Sequence, residues 1–152
     1  MALQRVLFLC TGNSARSQMA EGLVNHLLGG RWQAFSAGTQ PAGQVHPLAV
    51  QAMAEIDIDI SAQRPKPLTV YEGQTFDVVL TLCTGAAESC AFWPGHGPTR
   101  HMGFTDPAQA TGTPEELLQA FREVRDALRA QVFSFLANWP DGHKEEKSCR
   151  AM

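Results

Sequence analysis

The chain has no long hydrophobic run. None of its apolar stretches approaches the roughly 20 residues that cross a bilayer, so no membrane span is expected. It has no basic block either. Its 12 Lys and Arg are scattered among 15 Asp and Glu, for a formal net charge of −3. That argues against nucleic acid or an anionic membrane as the main partner. The first residues, MALQRVLFLC, lack the apolar core and small-residue cleavage site of a secretory leader, and a cytoplasmic location is expected. Cysteine is scarce, at four residues: Cys10, Cys83, Cys90 and Cys149. In a reducing compartment these are catalytic, redox-active or metal-binding more often than structural. Tyrosine is scarcer still, Tyr71 alone.

What is present suits one globular domain. The 152 residues are 44% hydrophobic and 18% charged, a balance that fills a core without disulfide staples. The domain is expected over residues 1–140, with a polar tail over residues 141–152. Short apolar runs predict strands at Arg5–Cys10, Trp32–Thr39, Phe76–Leu82 and Thr99–Phe104. Helical spacing predicts helices at Ser17–Leu28, Pro47–Glu55 and Pro114–Ala137. Thr113 is a natural N-cap for the last, followed by two glutamates. The alternating IDIDIS reads as a short extended piece and RPKPL as a proline-restricted loop. Strands alternating with helices predict an α/β fold, a parallel sheet with helices on both faces. Ligands bind such sheets beyond the carboxyl ends of the strands. Cys10, Cys83 and Asp106 all follow a predicted strand, so all three are expected at that edge.

The stretch VLFLCTGNSARSQMAEG sets a thiol at a strand end and an arginine at a helix start. Backbone N–H groups of such a loop converge with the helix dipole into an anion site. Residues Thr11, Gly12, Asn13, Ser14, Ala15, Arg16 and Ser17 would form it. Gly12 allows close approach of the ligand, and Arg16 offers two N–H groups to a tetrahedral oxyanion. The same positive field favours Cys10 as thiolate, with Ser17 able to donate to the sulfur and Asn13 to brace the loop. No Gly-Lys-Ser/Thr follows, which excludes the nucleotide loop. The pattern suits nucleophilic attack on the bound oxyanion itself. A buried, inert cysteine beside a surface arginine is the plain alternative, and the strand–loop–helix context weighs against it.

CTGNSARS followed by QMAEG resembles the active-site loop of the low-molecular-weight protein tyrosine phosphatase superfamily, and Ser-Ala-Arg-Ser-Gln-Met-Ala-Glu is more similar to its arsenate reductase branch. The resemblance runs from Arg5 to about Ala137. It implies a four-stranded parallel sheet of flavodoxin-like appearance, Cys10 as nucleophile and Arg16 as oxyanion clamp. It also implies that Asp106, in GFTDPA, is the general acid, although Asp-Pro often serves only to start a turn. Tyrosine phosphatases of this type carry an aromatic residue after Asp-Pro. Here Ala108 stands there, and a small inorganic oxyanion fits better than phosphotyrosine.

Cys83 and Cys90, in LTLCTGAAESCAFWPG, then acquire a purpose. The resemblance implies a relay in which Cys10 attacks arsenate, Cys83 resolves Cys10 and Cys90 resolves Cys83. It further implies thioredoxin as electron source, no tightly bound cofactor, phosphate or sulfate as substrate analogues, and a monomer. Were TGAAESC helical, Cys83 and Cys90 would stand about 10 Å apart, beyond the roughly 4.4–6.8 Å of a disulfide. The segment is therefore expected to unwind on oxidation, eased by Gly85, Gly95 and Gly97. Two other readings stay open for the pair: small apolar residues, or zinc ligands with His96 and His101, for which the Cys-to-Cys gap is too wide. Cys149 reads as a bystander. The resemblance also suggests a monovalent-cation site at Asn13, Glu21 and Ser36. The acidic residue expected to complete it is absent, since QRPKPL brings Arg64 and Lys66 instead. A potassium effect is thereby put in doubt, and the Lys66 ammonium is expected in the cation's place. The alternatives to a reductase are a phosphatase with redox-regulated cysteines and a non-catalytic oxyanion-binding redox sensor.

Overall fold

The computed structural model describes residues 3–84, 93, 95 and 97–139. In chain order these form β1 (Gln4–Cys10), α1 (Arg16–Leu27), β2 (Trp32–Gly38), α2 (Pro47–Ala54), a 3₁₀ turn (Leu68–Tyr71), β3 (Val78–Thr81), β4 (Thr99–His101), a second 3₁₀ turn (Pro107–Gln109) and α3 (Pro114–Ala137). The four strands make one parallel sheet in the order β2-β1-β3-β4. β1 is central, and Val6, Leu7, Phe8 and Leu9 are all 0% exposed. Burial on both faces is why its sequence is a continuous apolar run instead of an alternation.

The two faces are covered differently. Val6, Phe8, Cys10, Val78, Leu80 and Leu82 belong to a core shared with α1, α2 and α3. Leu7, Leu9, Ala37 and Val79 face a smaller core with Tyr71, Phe76 and Trp93. The helices expected on both faces thus resolve, among the described residues, into three α-helices on one face. The Leu68–Tyr71 turn and an aromatic group cover the other. Arg5 lies with its guanidinium 4.7 Å from the rings of both Phe35 and Phe76, closing the start of that aromatic group by cation–π contact.

α3 begins as its sequence predicts. Thr113 Oγ1 accepts from Glu116 N–H and the Glu116 carboxylate accepts from Thr113 N–H, a capping box with Pro114 in the first turn. Arg122 pairs with Glu55 at 2.8 Å, and Arg125 reaches both Glu55 at 2.9 Å and Ala52 O at 2.7 Å. These contacts pin α3 to the end of α2.

β1 starts one residue before its predicted run, and the other three strands are shorter than theirs. β3 starts at Val78 because the Asp77 carboxylate accepts from Arg5 N–H at 2.7 Å, a side chain standing where a ladder bond would be. β4 ends at His101, although Met102 and Phe104 still donate to Thr81 O and Leu82 O. IDIDIS forms no strand. Asp57 turns the chain with φ 66°, and Ile58 and Ile60 bury against the core without a sheet partner among the described residues. RPKPL leads into the 3₁₀ turn at Leu68, Pro67 holding the extended entry.

β2 ends on Gly38, and the loop after β1 passes directly over it. A Cβ there would lie 2.6 Å from Thr11 O and 2.9 Å from Cys10 O. Only glycine lets the two strand ends approach this closely.

Candidate active site

Cys10 is the last residue of β1, 2% exposed, and Arg16 opens α1, 3% exposed. Between them the loop turns through Asn13, whose φ of 50° is left-handed. Asparagine tolerates that region better than most residues. Four successive carbonyls of the loop are tied from outside. Thr11 O accepts from Gln40 N–H, Gly12 O from Ala42 N–H and Ser14 O from His46 N–H, at 2.9, 2.9 and 2.8 Å. Asn13 O accepts from Gln18 Nε2 at 2.9 Å. In a planar trans peptide the N–H points opposite to the C=O. The N–H groups of Gly12, Asn13, Ser14 and Ala15 are therefore turned inward, as the donors of an anion cradle must be.

The sulfur is placed by a relay of donors. Lys66 N–H donates to Asn13 Oδ1 at 2.8 Å, and Asn13 Nδ2 donates to Ser17 Oγ at 2.7 Å. Ser17 Oγ accepts there and lies 2.9 Å from Cys10 Sγ, so its own hydrogen can be given to the sulfur. All three side chains are buried.

Arg16 fixes the arriving strands. Its NH1 donates to Phe104 O at 3.2 Å and reaches Leu82 O at 3.5 Å, while NH2 lies 3.6 Å from Asp106 Oδ2. Asp106 also caps the Pro107–Gln109 turn, its Oδ1 accepting from Ala108 N–H at 3.0 Å. This aspartate starts the turn with one oxygen and faces the arginine with the other. Leu9 pairs with Thr81 in the sheet and accepts from Leu82 N–H. Cys83 thus follows at the same carboxyl edge as Cys10. It is 0% exposed, and Cys10 is a free thiol. Cys90, Cys149, His96 and the TGAAES segment expected to unwind lie outside the described residues. His101 Nδ1 sits 2.9 Å from Thr81 Oγ1, and no metal-ligating group of His, Cys, Asp and Glu occurs among the described residues. No helix among them is long and apolar enough to cross a membrane.

A cavity of about 630 Å³ opens over the loop. Gly12, Ser14, Gln40, Asp106, Ala108 and Gln109 are among the residues that line it. No aromatic ring is among the described residues that line it.

Residues 5–145 match the low molecular weight phosphotyrosine protein phosphatase family. The chain belongs to that family. An arsenate reductase of Halalkalibacterium halodurans is 47% identical over 130 residues, covering 86% of this chain and 93% of the relative. The structure of an arsenate reductase in the phosphate binding state superposes with a TM-score of 0.74 at 30% identity, over 91% of this chain and all of that one. A thioredoxin-dependent arsenate reductase of Corynebacterium glutamicum superposes with a TM-score of 0.59 at 29% identity, over 89% of this chain and 63% of that one. Within the phosphatase family, the chain is an enzyme of the arsenate reductase branch.

The family resemblance pointed to Asn13, Glu21 and Ser36 as a cation site. Ser36 Oγ donates to Glu21 Oε1 at 2.5 Å, and Lys66 Nζ stands 4.0 Å from the same oxygen while donating to Arg64 O. Burial pushes the Glu21 carboxyl above its ordinary range, against the Ser36 hydrogen bond and the Lys66 charge. Burial pulls the Lys66 ammonium down, against the charge of Glu21. Tyr71 is pushed up to about 12, by burial first and Glu21 second. The absent acidic residue is thus matched by an amine that reaches Glu21.

Three positions that brace the loop carried no signal in the sequence. Gln18 sits inside the SQMAE stretch as an ordinary helical residue. Gln40 and Ala42 act through backbone N–H alone, which no side chain advertises. His46 was legible only as the residue before Pro47. Its Nδ1 accepts from Leu48 N–H at 3.1 Å and its ring lies 4.6 Å from that of Phe121, a burial that lowers its pKa against the opposing charge of Asp106.

Proposed function

We propose that this enzyme reduces arsenate to arsenite through three thiols and is recycled by thioredoxin in the cytoplasm. The Cys10 thiolate attacks arsenic and Asp106 gives a proton to the departing oxygen, leaving a Cys10–arsenic(V) bond. The Cys83 thiolate attacks Cys10 Sγ. The sulfur–arsenic electron pair stays on arsenic, which leaves as As(III), and the two thiols become a disulfide. The two electrons balance. Cys90 attacks Cys83, releasing the Cys10 thiolate and leaving Cys83–Cys90 for an external dithiol.

The observation that carries this reading is the convergence at one sheet edge: Cys10 Sγ lies 2.9 Å from the Ser17 hydroxyl, Arg16 stands 3.6 Å from Asp106, and Cys83 follows just past β3. The thioredoxin-dependent relative and the phosphate binding state of another support the donor and the class of substrate. Ala108, and the lack of an aromatic ring among the described residues that line the cavity, favour an inorganic oxyanion over phosphotyrosine, the alternative that the phosphatase loop leaves. Lys66 takes the place of a bound cation beside Glu21, so activity is expected not to depend on potassium over sodium.

The test follows NADPH consumption with arsenate, supplied in turn with thioredoxin and its reductase and with glutaredoxin and glutathione. Thioredoxin should support turnover. Cys83→Ser and Cys90→Ser should each abolish multiple turnover, and a chain in which both variants keep turning over has no three-thiol relay.

A further inference from the structure

Of the four outward ties on the loop carbonyls, three come from backbone N–H groups and one from a side chain. That side chain is Gln18. It is 0% exposed, in the first turn of α1. Its Nε2 donates to Asn13 O and to Arg64 O, both at 2.9 Å. Its Oε1 accepts from Gln63 Nε2 at 2.7 Å, and Gln63 Nε2 also reaches Gln18 O at 3.1 Å. The amide has only one workable orientation, because the end that faces two carbonyls must be the NH₂ group. Every polar atom of the side chain is used.

The peptide it holds is the one most in need of holding. Asn13 is left-handed at φ 50°, a conformation that persists only where its surroundings over-determine it. Its side chain is committed to Lys66 N–H and Ser17 Oγ. Its carbonyl is held by Gln18, and the N–H of the same peptide belongs to Ser14, a residue that lines the cavity. Were the carbonyl released, that peptide could rotate and turn the Ser14 N–H away from the ligand.

We propose that Gln18, locked by Gln63, is a positioning residue of the oxyanion cradle: it holds the Asn13 carbonyl outward and thereby aims the Ser14 N–H at the bound oxyanion. The inference rests on the oxyanion-binding part of the function proposed above. It also explains why the segment carrying Gln63, Arg64 and Lys66 packs against α1. That segment locks Gln18 through Gln63, shares its amide through Arg64 O and holds Asn13 through Lys66 N–H.

The test titrates the full-length, ¹⁵N-labelled chain with inorganic phosphate and follows single amides by NMR. In the wild type the Gly12, Asn13, Ser14 and Ala15 amides should shift downfield together. In Gln18→Leu, phosphate should bind about tenfold more weakly, the scale of one lost buried hydrogen bond. The Ser14 shift should vanish while Gly12 and Ala15, each following a carbonyl tied by backbone, keep theirs. Gln63→Leu tests the same idea with a milder change. It should weaken phosphate about two- to threefold and reduce the Ser14 shift alone. A Ser14 shift that survives both substitutions, or an equal loss at all four amides, would overturn the assignment. A wild type with no amide response would overturn the cradle itself, and Gln18 with it. Because the readout is binding, phosphate titrations that behave as expected in a chain unable to reduce arsenate would sink the reductase reading and still support Gln18.

Discussion

Asp106 shows how much one residue can be asked to do. Its Oδ1 caps a turn and its Oδ2 faces Arg16 at 3.6 Å. These duties are separable. Asparagine keeps the acceptor for Ala108 N–H but has no proton to give. Asp106→Asn is therefore expected to lower kcat about 10²–10³-fold with little change in melting temperature. Asp106→Ala should lose activity and also some stability, since a cap is removed. Steady-state kinetics beside thermal melts decides it; equal melting losses in both variants would mean that the turn does not depend on this carboxylate. Cys10, Arg16 and Asp106 were legible in the sequence because each is a reactive side chain at a strand end or helix start. Gln18 was not, since a buried glutamine inside a helix is silent until the left-handed residue it holds is seen.

At the scale of elements, the loop, β2 and the segment after α2 depend on one close approach. Gly38 sits where Thr11 O and Cys10 O pass, and its N–H donates to Lys66 O at 2.8 Å. A methyl group there meets backbone atoms that cannot swing aside. Gly38→Ala is expected to cost about 1–3 kcal/mol and to weaken phosphate binding, because the loop must move to admit it. Urea denaturation and a phosphate titration give both numbers; a loss of stability with unchanged phosphate affinity would mean that the strain relaxes into β2. The order of elements was readable from periodicity. Their limits were not. The apolar run Phe76–Leu82 continues past both ends of β3 because burial, together with single backbone bonds from Asp77 N–H to Arg5 O and Leu82 N–H to Leu9 O, reaches beyond the regular ladder. IDIDIS alternates because Ile58 and Ile60 face the core, and alternation alone does not supply a neighbouring strand.

Over the whole molecule, charge is sparse inside, and Glu21 with Lys66 is the pair that titrates with consequence. Glu21 is raised in the folded state. Its contribution is therefore fully present below the unfolded carboxylate range and lost as pH rises through the folded value. Lys66 is lowered, so its contribution is present at alkaline pH and lost as pH falls through the folded value. The charge of each works against the burial that disfavours the charged form of the other. Lys66→Met leaves Glu21 without its cation. The variant should match the wild type most closely at pH 5 and fall behind by about 1–2 kcal/mol at pH 8, as the lone carboxyl is forced to ionise. Urea midpoints across that range check it; a deficit that does not change with pH would assign Lys66 a packing role only. The family was legible from one loop, and the branch from Ser-Ala-Arg-Ser-Gln-Met-Ala-Glu in that loop together with two cysteines and an alanine. What the sequence could not disclose was how the loop is held from behind, since those contacts use mostly main-chain atoms.

The stretch from Gln40 to His46 therefore has an unusual relation to inheritance. Its residues 40–44 are exposed, and what it gives the loop is the amides of Gln40, Ala42 and His46. Substitutions at positions 41–44 can accumulate freely, provided that proline stays out of position 42, while Gln40 both spends its N–H on the loop and lines the cavity. Length cannot drift in the same way. One residue inserted or deleted there puts the amides out of step with the carbonyls of Thr11, Gly12 and Ser14, so descendants of this enzyme should vary there in letters and not in count.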